Sequence, residues 1–238
     1  MTHTNTAGQP IGFPVPDWTP RKMIPHTQMT GQTCRLEPLT LAHAPALHAA
    51  FAADKTGTLW TYMPSGPYQS EADYADWVAG AAEQKDPLFY AIIDASADQP
   101  VGVASYLRID PNHGSAEVGW ITYSPALKRS TLATEAMYLM MKRVFDELGY
   151  RRYEWKCDAL NAPSRKAAAR LGFTYEGTFR QAVVYKGRNR DTAWFSITDQ
   201  EWPAIRAGFE TWLSPDNFDA EGNQKARLES FRPAGNAE

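Results

Sequence analysis

Apolar and polar positions along this chain change rhythm several times, and each change marks an element. Leu88–Asp94, residues 101–109 and Ser115–Tyr123 read as three strands, with turn residues at 98–100 and 110–114 between them. Further on, Leu132, Ala136, Leu139, Met140 and Val144 repeat at helical spacing, opening at Thr131 and stopped by Gly149. Residues 150–157 read as a strand. Asn161 then caps a second helix that carries Pro163 in its first turn and ends at Gly172. Thr174–Tyr185 and residues 189–198 form a hairpin around Lys186 and Gly187, and residues 202–212 close the pattern as a helix.

Toward the N-terminus, residues 33–37 read as a first strand. Residues 45–53 follow as a short helix with Leu47, Ala50 and Phe51 on one face. Ser70 opens another helix, with Asp73 as its capping-box partner and Tyr74, Trp77, Val78 and Ala81 on the buried side. Short connections make neighbouring strands antiparallel. The Thr131 helix instead forces a parallel crossover to the strand at 150–157.

Residues 1–31 contain Pro10, Pro14, Pro16, Pro20 and Pro25 and little periodicity, which predicts an extended arm. It has two readings: a free tail, or a segment pinned to the domain or to a second subunit of a homodimer by Phe13, Val15, Trp18 and Ile24. Residues 32–213 read as one domain, and the polar stretch 214–238 is expected to fray.

Composition narrows the function classes. A chain of 238 residues with 43% hydrophobic and 21% charged content suits one sizeable globular core. Its formal net charge of −3 leaves no basic surplus for a nucleic-acid backbone. The two cysteines, Cys34 and Cys157, have no metal-binding spacing and predict reduced thiols; no metal is expected. Nor do His43, His48 and His113 have catalytic spacing. The N-terminus lacks a secretory pattern, and no apolar run reaches the ~20 residues of a membrane span, so a cytoplasmic protein with no membrane partner is expected.

One short stretch carries the chemistry. Lys128 and Arg129 stand before a helix start whose first N–H groups lack helical partners, which suits a phosphate or pyrophosphate. The run Lys128, Thr131, Ala133, then Thr134-Glu135-Ala136, and later Asn161, Ser164 and Leu171-Gly172-Phe173, resembles the GNAT acetyltransferases of the RimJ/RimL-like branch. The likeness runs from about Gln32 to Trp202. Two key positions of the phosphate loop depart from the family: Lys128 replaces Gln or Arg, and Thr131 replaces Gly.

The resemblance implies an α/β (α+β) fold: a mixed, mostly antiparallel, twisted sheet with helices on both faces. Its central parallel strands, Ser115–Tyr123 and residues 150–157, would splay to admit acetyl-CoA. It further implies an enzyme, an N-acetyltransferase moving acetyl to a primary amine of a protein N-terminus or a small molecule by direct attack. Ile121, Tyr123, Lys128, Arg129, Ser130, Thr131, Leu132, Ala133, Thr134, Asn161 and Ser164 would hold acetyl-CoA.

Glu117 would be the base that neutralises the amine, with Glu135 the weaker candidate. A backbone N–H near Trp120 or Ile121 would stabilise the oxyanion. The tyrosine that many relatives use to protonate the thiolate falls at Ala168, so Ser164 is the group left near the sulfur. Trp60, Tyr62, Met63, Pro64 and Tyr68 would shape the acceptor side. The alternative is a CoA-binding module of the same fold without turnover.

Overall fold

Local chemistry sets most element boundaries in the computed structural model, which describes residues 3–232. In chain order the strands and helices are β1 (His3–Thr4), β2 (Pro10–Ile11), β3 (Met29–Thr30), β4 (Cys34–Pro38), α1 (Ala44–Ala52), α2 (Glu71–Ala82), β5 (Leu88–Asp94), β6 (Gln99–Asp110) and β7 (Ser115–Tyr123). They continue with α3 (Thr131–Lys142), β8 (Arg152–Asp158), α4 (Ala162–Leu171), β9 (Thr174–Tyr185), β10 (Arg188–Thr198) and α5 (Trp202–Leu213). The expected capping box forms at α2: Ser70 Oγ accepts from Asp73 N–H, and the Asp73 carboxylate accepts from Ser70 N–H, both at 3.1 Å. Gly172 ends α4 at φ 102°, and Lys186 and Gly187 turn the last hairpin at φ 47° and 69°.

One eight-stranded sheet runs in the order β3-β4-β5-β6-β7-β8-β10-β9, and among these strands only β7 and β8 pair in parallel. Strand β5 shows why both faces are covered. Leu88, Tyr90 and Ile92 join the core under α3 and α5, while Phe89, Ala91 and Ile93 join a second core under α1 and α2. This is the mixed sheet with helices on both faces that the resemblance implies.

The arm follows the pinned reading in part, and the C-terminal stretch departs from expectation. Trp18 pins the arm through its indole N–H to the Asn112 carbonyl (2.8 Å), and Arg21 donates to the Gly149 carbonyl (3.0 Å). Ile24 is buried, and Arg143 donates to the carbonyls of Thr27 and Gln28. Phe13 and Val15 do not share in this, being 55% and 41% exposed. Of the polar stretch expected to fray, residues 215–232 fold back instead, and 233–238 lie outside the described residues. Leu228 is fully buried, and Arg232 donates to the Arg170 carbonyl at the end of α4. Phe218, Leu228 and Phe231, scattered among polar residues without a helical or strand period, give too weak a pattern to predict this.

Candidate active site

The parallel ladder between β7 and β8 is short. It pairs Ser115 with Arg152 through Val118 with Trp155 and then stops, although both strands continue. Beyond that point β7 stays with β6 and β8 with β10, so a gap opens between them. In β7 the register to β6 slips after Gly119: Trp120 and Ile121 face a single residue of β6, and Trp120 takes a left-handed φ of 53°. Such a bulge re-aims backbone groups next to the gap.

A cleft of about 490 Å³ lies there. Glu117, Trp120 and Ile121 of β7 line it, facing Trp155, Cys157 and Asp158 of β8. Asn161 and Ser164 close it from the start of α4, and Tyr62, Met63 and Pro64 close it from the loop after α1. The expected residues Glu117, Ile121, Asn161, Ser164 and Tyr62 therefore meet in one place. Trp60 and Tyr68 do not line this cleft. They are packed edge to face at 5.3 Å in the aromatic core of α1 and α2, where burial pushes the Tyr68 phenol up. Sequence alone does not separate a packing aromatic from a lining one.

Glu117 is 4% exposed, and its Oε2 accepts from Arg108 (2.6 Å) and Lys156 (2.8 Å). Its Oε1 makes no hydrogen bond among the described residues. Glu135 is equally buried but differently used. It accepts from the N–H groups of Gln32, Thr33 and Cys34 and from the Thr33 hydroxyl, which ties the start of β4 to α3. A carboxylate held by four such donors serves as an anchor for the start of β4.

Asn161 caps α4 by accepting from Ser164 N–H at 3.1 Å. The Ser164 hydroxyl accepts from the Trp155 indole at 3.0 Å and lies beside the Cys157 thiol. Burial pushes that thiol up, against the pull of Ser164, Arg190 and Arg165, so Cys157 stays protonated at neutral pH. Ala168 sits on the buried face of α4 and carries no group to donate a proton.

The start of α3 lies in a separate hollow of about 490 Å³, lined by Ser130, Thr131 and Leu132 together with Gln32, Thr33 and Asp94. Ser130 caps the helix by accepting from Ala133 N–H at 3.1 Å. The N–H groups of Arg129, Thr131 and Leu132 have no partner among the described residues. Lys128 and Arg129 are exposed and make no ion pair there. Ala133 and Thr134 are buried, and the Thr134 hydroxyl accepts from Arg170. Tyr123 is half-buried between the two hollows and donates to the Ala133 carbonyl at 3.5 Å. No group of three His, Cys, Asp or Glu among the described residues could hold a metal, and no described helix is long and apolar enough to cross a membrane.

The residues missed by pattern alone are Arg108, Lys156, Asp158, Arg190 and Trp194, all lining the cleft. Alternation along β10 puts Arg190, Thr192 and Trp194 on one face. Only the sheet order tells which face that is.

Comparison with known proteins fits this geometry. Residues 34–174 match the acetyltransferase (GNAT) domain family. A crystal structure of a GCN5-related N-acetyltransferase from Brucella melitensis superposes with a TM-score of 0.89 at 45% identity, covering 91% of this chain and 98% of that one. An uncharacterized N-acetyltransferase, p20, of Bacillus licheniformis is 30% identical over 48% of this chain and 63% of its own length. The ribosomal-protein-serine acetyltransferase of Escherichia coli is 31% identical over 36% of this chain and 47% of its own. With a parted central strand pair, a capped α4 and a family match across both, the chain belongs to the GNAT acetyltransferases and is an N-acetyltransferase.

Proposed function

We propose that this enzyme takes acetyl from acetyl-CoA and passes it to a primary amine by direct attack in a ternary complex. The observation that carries the reading is the end of the β7–β8 ladder at Val118 and Trp155. Backbone groups on the open side of such a gap need partners, and the amides of a pantetheine arm supply them. The diphosphate would bind at the start of α3, on the free N–H groups of Arg129, Thr131 and Leu132, with Lys128 and Arg129 as counter-charges. Thr131 in place of glycine keeps the phosphate slightly further from the backbone.

At the reacting centre, the bulge at Trp120 and Ile121 would offer an N–H to the carbonyl oxygen as it gains charge. Glu117 would take the amine proton on Oε1, directly or through one water, while Arg108 and Lys156 hold Oε2 in place. A C–N bond forms, the C–S bond breaks, and the sulfur takes a proton from Ser164 or from water reaching it. A thiol leaves readily near pH 8, so a weak acid suffices there. The acceptor is a protein N-terminus or a small-molecule amine met in the cytoplasm.

Thiol release from acetyl-CoA across a panel of amines, including ribosomal-protein N-terminal peptides, tests this. Turnover with at least one amine is expected. Tight CoA binding with no release for any amine would leave the alternative, a binding module of this fold, which the buried Ala168 in place of the family's tyrosine would then explain.

A further inference from the structure

Three cations line the cleft, and two of them are spoken for. Arg108 and Lys156 share Glu117, and Lys156 also contacts Glu154 at 2.7 Å. Arg190 has no carboxylate partner within the described residues. It makes one side-chain hydrogen bond, from Nε to the Thr192 hydroxyl at 3.1 Å. The nearby acids are engaged elsewhere. Asp191 accepts from Gln181 N–H and from the Asn189 amide, and Asp158 accepts from Leu160 N–H and from the Tyr185 hydroxyl.

The position of Arg190 is fixed by β10. It shares the cleft face with Thr192 and Trp194, opposite a bulge of β9 at residues 180–182. From the last hairpin it lines the same cleft as Cys157 and Asp158 of β8. An amine beside Glu117 shares the cleft with a guanidinium whose two terminal nitrogens have no partner among the described residues. That is a poor environment for a plain cationic amine. It is a good one for an amine that carries its own anion, since a guanidinium fork matches a carboxylate in two parallel hydrogen bonds.

We infer that Arg190 binds a carboxylate of the acceptor, so that the enzyme selects amines bearing one close to the nitrogen. The inference rests on the transfer reading above and adds the substrate class to it. A free α-amino acid and a peptide N-terminus with an early acidic side chain present the same group from two sources.

Matched acceptor pairs test it on the full chain. Alanine against alaninamide probes the free amino acid, and the amidated peptide Ala-Asp-Ala against Ala-Asn-Ala probes the side chain. In at least one pair, the carboxylate-bearing member should have a kcat/KM about tenfold higher or more, the scale of a charge-assisted hydrogen bond. Arg190→Gln should bring that ratio close to one while the KM for acetyl-CoA stays within about twofold. Equal rates within both pairs would overturn the inference. So would an Arg190→Gln variant whose KM for acetyl-CoA rises instead, since the arginine would then serve the coenzyme.

Titrating the cleft tryptophans' fluorescence with the same pairs reads binding without turnover. Arg190-dependent binding of the carboxylate-bearing members with no thiol release would sustain the anion site and sink the transfer reading. Turnover with no carboxylate preference in either readout would do the reverse.

Discussion

Glu117 and Glu135 are the same residue at the same 4% exposure, yet they sit in opposite surroundings. Glu135 faces a turn of backbone, where four donors from residues 32–34 use up its lone pairs. Glu117 faces a cleft and is held through one oxygen by two side-chain cations, with its other oxygen left over. Burial alone therefore says nothing about a carboxylate's job. What matters is whether its partners are fixed backbone groups that complete the fold, or side chains that steady it beside open space.

The sharpest way to break this contrast is Glu117→Gln. If the free oxygen is the proton acceptor, turnover falls by ~10²–10⁴-fold with the KM for acetyl-CoA nearly unchanged. The pH optimum should also move up, because the amine must then lose its proton to solvent, near its own pKa of about 8. A variant with the parental pH–rate profile would remove Glu117 from the chemistry.

Glu135→Ala should act on stability. It leaves the N–H groups of Gln32, Thr33 and Cys34 without their acceptor, at a cost of about 3 kcal/mol, read from urea unfolding. An unshifted urea midpoint would show that the anchor is dispensable.

A smaller effect belongs to Lys128→Ala. The side chain is exposed, so the KM for acetyl-CoA should rise only about three- to tenfold, and less at high salt. A rise in the acceptor's KM instead would move the phosphate site elsewhere.

The smallest effect is a pH dependence away from the site. The Arg152 guanidinium beside Glu176, outweighing its partial burial and helped by the Ser196 hydroxyl, holds that carboxyl below the usual range. A depressed folded pKa gives stability that is present above the unfolded value of about 4.3 and is lost as pH falls through the folded one. Urea midpoints should drop in that acidic window, and Arg152→Gln should flatten this part of the drop. Parallel pH curves for variant and parent would count against the pair.

How much of this was legible beforehand depends on the range of the interaction involved. The Ser70–Asp73 box, the Asn161 cap, the Gly172 stop and the Lys186-Gly187 turn are decided within four residues, and the sequence shows them directly. The strand gap was expected only through resemblance to a family, because no local pattern encodes where a ladder stops. Long-range partners were beyond reach. Glu135 looks like an ordinary first-turn glutamate until the start of β4 is seen against it, more than a hundred residues away. Trp60 and Tyr62, two positions apart, divide between core and cleft because the loop bends between them. Arg190 reads as one more charge in a hairpin until β8 and α4 are set beside it.

The arm's anchoring has a consequence for how the protein is made. Trp18 and Arg21 leave the ribosome well before their partners, since the Asn112 carbonyl that Trp18 needs lies 94 residues later and the Gly149 carbonyl that Arg21 needs lies 128 later. Contacts so distant along the chain close late. The arm is thus made long before it can dock, and its apolar side chains wait, within reach of chaperones, until the chain past Gly149 has emerged to receive them.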